Sequence, residues 1–284
     1  MLPLIAVVGN VEPALLRAFV RHYLSLGVSD VLLGFHFTDR VPADAAAQLL
    51  EVSREEAGEP RHVSRGPWGE QSNGEIRDRL RAEAGPGWHV IADSDEFHHY
   101  PVSLTETIAE AEAAGRATVE GLLYDRVSRT GELLAPDAGR SLDDTYPLGG
   151  FVTHDLVSGD SRKVLIARSE LVLSSGNHWV PGLRSGAPEA PPLPVHHFKW
   201  RAGCQQYLAA RMADFAASTR PAEVSMREEC GRVLAHLRTH GGRLAVDGLA
   251  PATTAVLPPG WDEQAARVSD YWWRSRWLAK GGTR

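Results

Sequence analysis

The first 35 residues carry the pattern that most restricts what this chain can fold into. Residues 4–8 are continuously apolar, which is typical of a short strand buried on both faces. Pro13 then suits the first turn of a helix, and apolar residues recur at helical spacing until Gly27. Residues 31–35 form a second short apolar run. Strand, helix and strand in this order predict a βαβ unit, and therefore parallel strands in an α/β sheet.

Acidic residues follow another apolar run, residues 88–92, which reads as a central buried strand. Asp93 and Asp95 come directly after it, and alternation along an extended backbone would turn both side chains the same way. Two carboxylates at the carboxyl end of such a strand suit a Mg²⁺ or Mn²⁺ ion that also holds a diphosphate. Asp-x-Asp is also common in solvated loops; the preceding strand and the following Glu96 favour the metal interpretation.

Residues 92–97, Ala-Asp-Ser-Asp-Glu-Phe, resemble the Asp-x-Asp-Glu-Phe signature of family 2-like glycosyltransferases. Similar segments follow in the family's order within residues 4–217, and they are Asp125-Arg126, Lys163-Val164-Leu165, Gly176-Asn177-His178 and His196-His197-Phe198-Lys199. The resemblance implies a GT-A fold, which is a Rossmann-like mixed sheet flanked by helices. It also implies metal-dependent transfer of a sugar from a nucleoside-diphosphate sugar to an acceptor hydroxyl, usually with inversion.

The resemblance further implies roles for individual residues. Asp93 and Asp95 would hold Mn²⁺ or Mg²⁺, with His178 or His197 as a further ligand. The residues expected to contact the donor nucleotide are Asn10, Asp39, Arg77, Asp93 and Lys199. The base that accepts the acceptor's proton is left open among Glu96, Asp125, Asp155 and His178. The structural alternatives are a solvated helix face for Arg77, a salt bridge for Asp125-Arg126 and ordinary packing for the histidines.

The turn after the second strand departs from the family pattern. Relatives carry a polar, Asp-containing turn there that helps to hold the nucleotide base, whereas residues 34–40 here read Gly-Phe-His-Phe-Thr-Asp-Arg. Asp39 can fill the expected role, with a changed base preference. Alternatively, Phe35 and Phe37 simply pack into the core.

Composition excludes several other classes of protein. The net charge of −6 argues against a nucleic-acid binder that works by neutralising phosphates. Two cysteines provide neither a disulfide framework nor a cysteine zinc site. No apolar run has the length of a signal segment or a membrane span, so we expect a cytoplasmic protein.

The pattern changes near residue 203 and predicts two parts, a nucleotide-sugar-binding catalytic domain at 1–202 and a helical extension at 203–284. Helices are predicted at 205–217, 222–240 and 263–280, and a short strand at 147–154. The last helix carries a stripe of aromatic residues. We expect this stripe to dock onto the protein's own domain, and the alternative is a membrane surface or an acceptor.

Two other functions compete with glycosyl transfer. A sugar nucleotidyltransferase would carry a glycine-rich, basic phosphate loop after the first strand, and residues 9–12, Gly-Asn-Val-Glu, do not match it. A non-catalytic carbohydrate- or nucleotide-binding relative is suggested by the aromatic turn at 34–40. The acceptor can be a carbohydrate, a lipid or a small molecule.

Overall fold

In the computed structural model, which describes residues 1–182 and 192–275, ten strands form one mixed sheet. The strands are β1 (Pro3–Val8), β2 (Asp30–Phe37), β3 (His62–Arg65), β4 (Trp88–Ile91), β5 (Glu96–His98), β6 (Thr118–Val127), β7 (Leu148–Gly150), β8 (Arg162–Arg168), β9 (Leu193–His197) and β10 (Ala250–Pro251). The helices are α1 (Pro13–Ser25), α2 (Ala43–Glu56), α3 (Glu70–Ala84), α4 (Leu104–Ala113), α5 (Leu142–Thr145), α6 (Val152–Asp155), α7 (Cys204–Asp214), α8 (Pro221–Thr239) and α9 (Trp261–Ser269). The predicted fold class, a mixed sheet flanked by helices with further helices at the C-terminal side, is confirmed.

The parallel part of the sheet has the order β4-β1-β2-β3. β1 and β2 are joined by α1, as the first 35 residues predict. Beyond β4 the sheet continues antiparallel through β8, β6, β7 and β10. The carboxyl ends of β1 and β4 therefore lie side by side, and we call them, with the residues that follow, the carboxyl edge.

β1 and most of β2 are apolar and buried because helices cover both of their faces, whereas β3 at the edge of the sheet alternates between half-buried and exposed residues. Neighbouring residues of β1 point to opposite faces, yet Leu4 and Ile5 are both fully buried. Leu4 packs in the larger cluster that includes α1, and Ile5 packs in a second cluster with residues of α3. Phe35 and Phe37 are also buried in the larger cluster, with ring centroids 5.7 Å apart, so the packing alternative is correct for these two side chains.

Two short strands that the sequence did not predict, β5 and β9, complete the carboxyl edge. β5 pairs antiparallel with β9 and places Glu96 opposite His197. β9 pairs parallel with β6 and places Asp125 opposite the same histidine. The strand predicted at 147–154 is only partly correct, because β7 ends at Gly150 and α6 begins at Val152.

The C-terminal helices pack onto the sheet. α7 and α8 form a cluster that includes Trp200 and residues of β6 and α6. Trp272 and Trp273 of the predicted stripe are buried in another cluster with Tyr124 and Trp261, so the predicted docking is confirmed for these two residues, whereas Tyr271 is exposed. The predicted end of this helix, with Trp277 and Lys280, lies outside the described residues. Among the helices of 1–182 and 192–275, none combines the length and apolar character needed to cross a membrane.

Candidate functional site

The three acidic residues after β4 lie at the carboxyl edge, in a turn rather than an extended segment. The backbone N–H of Glu96 donates to the carbonyl of Asp93 at 2.9 Å, which closes this turn. The exposed fractions of the side chains are 38% for Asp93, 21% for Asp95 and 2% for Glu96. Asp93 and Asp95 consequently have different partners, and the prediction from strand alternation that they share one orientation does not hold.

Lys163 of β8 is a buried cation beneath the turn. Its Nζ lies 2.8 Å from Asp93 Oδ2 and 2.7 Å from Glu96 Oε1, and it donates to the carbonyl of Gly176 at 2.6 Å. Burial alone lowers the pKa of an ammonium group, but the two carboxylates hold the pKa of Lys163 above its ordinary value. Glu96 is thus committed to an internal ion pair, which does not fit its predicted role as the base.

Asp125 lies on β6 and is completely buried, with four hydrogen-bond donors around its carboxylate. Thr153 donates through its backbone N–H at 2.6 Å and through Oγ1 at 2.8 Å. His197 Nδ1 and Trp200 Nε1 each donate to Oδ1 at 2.9 Å. Because Asp125 is completely buried and three of these donors share Oδ1, an acceptor hydroxyl cannot reach it from solvent, so the predicted base role of Asp125 does not fit. Its position instead makes it the residue that orients His197.

The hydrogen bond to Asp125 fixes the tautomer of His197. In the neutral form of this histidine, Nδ1 carries the proton and Nε2 presents a lone pair, and Nε2 lies 3.9 Å from Asp95 Oδ2. That distance is too long for a hydrogen bond. The two atoms would hold one Mg²⁺ or Mn²⁺ ion after a small shift, because octahedral ligands at about 2.1 Å from the ion lie either about 3.0 Å or about 4.2 Å apart. In many metal sites a carboxylate accepts a hydrogen bond from the second ring nitrogen of a histidine ligand, as Asp125 does from His197 here.

The remaining ligands of such an ion would come from a substrate and water. Within residues 1–182 and 192–275, no group of three or more His, Cys, Asp or Glu side chains could hold a metal ion. Mg²⁺ is commonly held by one or two protein carboxylates together with substrate phosphates. A site with two protein ligands is accordingly suited to an ion that arrives with a diphosphate.

Arg201 is the second cation of the carboxyl edge. Its Nη1 lies 3.3 Å from Asp95 Oδ2 and donates to the carbonyl of Phe198 at 2.8 Å, and its Nε donates to Glu12 Oε2 at 2.6 Å. Burial raises the pKa of the Asp95 carboxyl, but the positive charges of protonated His197, Arg201 and Lys199 outweigh this effect and hold the pKa below its ordinary value. Asp95 is therefore ionised at neutral pH, as a metal ligand must be.

His178 and Arg77 belong to the segment beside Lys163, not to the Asp95–His197 pair. His178 Nδ1 donates to the carbonyl of Arg162 at 2.8 Å, and burial lowers the pKa of this imidazole. Arg77 is buried and donates to the carbonyls of Leu173 and Ser174 and to Asn177 Oδ1, at 2.8 to 3.0 Å. The contacts favour His197 over His178 as the ligand, and they give Arg77 a structural role rather than one at a diphosphate.

Four further predicted residues lie apart from these contacts. Asn10 and Asp39 are exposed, at the carboxyl ends of β1 and β2. Lys199 is half-buried, with its ammonium 5.2 Å from the centre of the Trp200 ring. Asp155 is exposed at the end of α6 and pairs with Arg267 of α9 at 3.1 Å. The pairing with α9 does not fit the base role predicted for Asp155.

Arg126 also proves to be structural. It is completely buried and lies 2.9 Å from Asp143, and it donates to the carbonyls of Tyr146 and Ala252 at 2.7 Å. These contacts join β6 to the segments before β7 and after β10. The salt-bridge alternative considered for Asp125-Arg126 is therefore correct for the arginine.

The sequence reasoning assigned no role to Lys163, and it considered Arg201 only as a cation for the diphosphate or as a solvated residue. Lys163 begins the apolar run Val164-Leu165-Ile166, and a lysine in a buried strand needs a carboxylate partner. Arg201 follows the His-His-Phe-Lys-Trp segment, but nothing local to it indicates that its partner is Asp95. Both ion pairs join residues 70 or more positions apart.

Comparisons with known proteins give structural similarity only. No protein-family model matches the chain, and no curated protein sequence is significantly similar to it. The similar solved structures include TarS residues 1–349 from S. aureus, with 12% identity, a TM-score of 0.32 and coverage of 85% of this chain and 74% of that chain. HddC from Yersinia pseudotuberculosis has 9% identity, a TM-score of 0.34 and coverage of 70% and 90%. TarS has also been solved in complex with UDP-GlcNAc. With every TM-score below 0.5, these similarities assign neither a family nor an activity.

Proposed function

We propose that this protein transfers a sugar from a nucleoside-diphosphate sugar to an acceptor hydroxyl. The observation that carries the proposal is the pair formed by Asp95 Oδ2 and His197 Nε2, 3.9 Å apart at the carboxyl edge. The pair lies where ligands of open α/β sheets bind, and its atoms are the ligand types that Mn²⁺ or Mg²⁺ accepts. When bound, the ion supplies Lewis-acid stabilisation of the leaving diphosphate.

The residues around this pair are proposed to bind the diphosphate and the nucleoside of the donor. Arg201 and Lys199 are cations near Asp95 and suit the negative charge of a diphosphate. Asn10 and Asp39, exposed at the ends of β1 and β2, are the residues proposed to contact the nucleoside. Asp93 is the most exposed of the three acids after β4 and pairs with Lys163. Its exposed side is proposed to contact the donor.

The buried residues keep the site in one arrangement before the donor binds. Asp125 holds His197 in the tautomer whose Nε2 faces Asp95. Lys163 joins Asp93 to Glu96 and ties the turn to β8. Preorganised charges of this kind stabilise a transition state without a reorganisation cost. Inversion at the sugar carbon is the expectation of the sequence resemblance, and the acceptor is proposed to be a carbohydrate, a lipid or a small molecule.

The proposal is tested by calorimetric titration of UDP, GDP and dTDP, each with and without Mn²⁺. We expect one nucleotide to bind in a Mn²⁺-dependent way and the Asp95→Ala variant to lose that binding. The matched control is Asp247→Ala, which removes an exposed aspartate remote in sequence from the site and should bind as the wild type does. Absence of nucleotide binding by the folded wild type would overturn the proposal. Release of the nucleotide from the matching nucleotide sugar would then separate a transferase from a non-catalytic relative.

A further inference from the structure

Arg201 and the proposed metal ion would use the same oxygen atom. Asp95 Oδ2 is the atom that faces His197 Nε2 at 3.9 Å, and Arg201 Nη1 lies 3.3 Å from it. The Arg201 side chain is only 11% exposed, and it is anchored by Glu12 at 2.6 Å. A guanidinium held this way is a fixed positive charge within a few ångströms of the position where the ion would bind.

A free divalent ion is disfavoured at such a position for two reasons. It must compete with the guanidinium for the same carboxylate, and it then lies close to a positive charge in a partly buried site, where like charges repel strongly. A diphosphate removes both obstacles, because its oxygens can accept hydrogen bonds from Arg201 and also contribute ligands to the ion.

The side chain of Arg201 is suited to exchange one partner for another. Its Nε is bound to Glu12, which keeps the side chain near the site, and the planar guanidinium changes orientation as one unit. Nη1 holds Asp95 and the carbonyl of Phe198, whereas Nη2 donates no hydrogen bond within the described ranges 1–182 and 192–275. One terminal nitrogen is thus available to a phosphate before the other leaves Asp95.

We infer that Arg201 makes metal binding conditional on the diphosphate. In the donor-free protein it occupies Asp95 and keeps the ion out, and when the donor enters it turns to the diphosphate and releases Asp95 to the ion. This inference rests on the proposed function and specifies the order of events at the same site. Arg201 is a positioning residue in this scheme, since it controls the state of Asp95.

The test measures binding of Mn²⁺ alone, by the loss of the free-ion electron paramagnetic resonance signal, in the wild type and two variants. Arg201→Gln removes the competing charge, and we expect it to bind Mn²⁺ about tenfold more tightly than the wild type, as removal of one charge-assisted hydrogen bond implies. Arg201→Lys retains a positive charge and should stay within about threefold of the wild type. Adding Asp95→Ala to Arg201→Gln should abolish the gain.

The outcomes separate this inference from the proposed function. If the wild type binds a nucleotide with Mn²⁺ but Arg201→Gln gains no affinity for Mn²⁺ alone, the inference is overturned and the proposed function stands. An equal gain in Arg201→Lys also overturns it, since the effect would then come from lost packing. Thermal unfolding verifies that each variant is folded. If Arg201→Gln does not fold, Glu12→Gln replaces it. Asp95 is then the one carboxylate that pairs with Arg201 among the described residues, so Mn²⁺ should bind more weakly than to the wild type, and unchanged or tighter binding overturns the inference.

Discussion

Replacement of Asp125 by asparagine probes the buried centre of the site with almost no change in volume. The wild-type carboxylate accepts four hydrogen bonds, from both donors of Thr153, from His197 and from Trp200. In Asp125→Asn, one oxygen becomes an NH₂ donor. The better of its two orientations places this NH₂ at Oδ2, where it faces the backbone N–H of Thr153.

The cost follows from that arrangement. One hydrogen bond to a charged group, about 1.5–3 kcal/mol, is lost, and two buried donors face each other at about 1–3 kcal/mol. Relief of the desolvation of the carboxylate offsets part of this, so we expect the free energy of unfolding to fall by about 3 kcal/mol. For a chain of 284 residues the change corresponds to a decrease of about 5 °C in the midpoint of thermal unfolding.

Thermal and urea unfolding of Asp125→Asn measure this effect, with Thr153→Val as a milder reference. That variant loses only the hydroxyl donor and keeps the backbone N–H, so about 1 kcal/mol is expected. The hydrogen bond from His197 Nδ1 is weaker when it is made to a neutral amide. We therefore expect Asp125→Asn to bind Mn²⁺ in the presence of the nucleotide about 10- to 100-fold more weakly than the wild type. If Asp125→Asn unfolds within about 1 kcal/mol of the wild type, the four hydrogen bonds do not have the importance assigned to them.

Three further predictions concern buried groups. Lys163→Met should cost about 3–5 kcal/mol because it leaves two carboxylates unpaired, and adding Glu96→Gln should recover part of the loss in urea unfolding. Burial lowers the pKa of His22 to about 4 from an ordinary value of 6.5, so the unfolded chain binds more protons between these values. Stability should therefore decrease as the pH falls from about 6.5 towards 4, by up to about 3 kcal/mol, and His22→Gln should flatten this part of the profile. Gly149→Ala should cost about 1–3 kcal/mol, because the added carbon would lie 2.2 Å from a ring carbon of Tyr124; an unchanged unfolding midpoint would contradict this.

Elements with strong local signals could be predicted from the sequence. The predicted βαβ unit is present, and α2, which is rich in alanine and leucine, has the composition of a helix. α4 begins with a capping box, in which Ser103 and Glu106 each accept a hydrogen bond from the other's backbone N–H. In each case the information lies within a few residues of the element itself, as helix caps and apolar runs require.

The pieces that assemble the site could not be predicted, because they depend on pairing between distant segments. β5 has three residues and β9 has five, and neither carries a pattern distinct from its surroundings. Their register brings Glu96 and Asp125 beside His197, across about 70 to 100 residues of sequence. Residue type alone also misled the assignment of roles, since a buried aspartate that orients a histidine looks the same in sequence as a catalytic base.

Arginine is the residue type for which sequence reasoning is least decisive here. For Arg77 the sequence indicated either a contact with the donor nucleotide or a solvated helix face, and both interpretations assume exposure. Arg77 and Arg81, which lie four residues apart on α3, are instead buried and donate to backbone carbonyls of residues 168–174. That segment leads into Asn177, whose side-chain amide lies 3.4 Å from Asp93. The arginines therefore contribute to the site indirectly, by holding the loop that borders it.

The helical extension contacts the residues that surround Asp125, although it does not contribute a side chain to the proposed metal pair. Trp200, just before the extension, donates to Asp125 and packs in one cluster with α7 and α8. At the other end, Trp272 donates to His154 at 2.9 Å, and the preceding residue, Thr153, supplies two of the four hydrogen bonds on Asp125. The buried carboxylate that orients the proposed metal ligand is thus surrounded by groups that the extension covers. The boundary that the sequence pattern predicts near residue 203 therefore lies between Asp125 with its hydrogen-bond donors and the helices that pack over them.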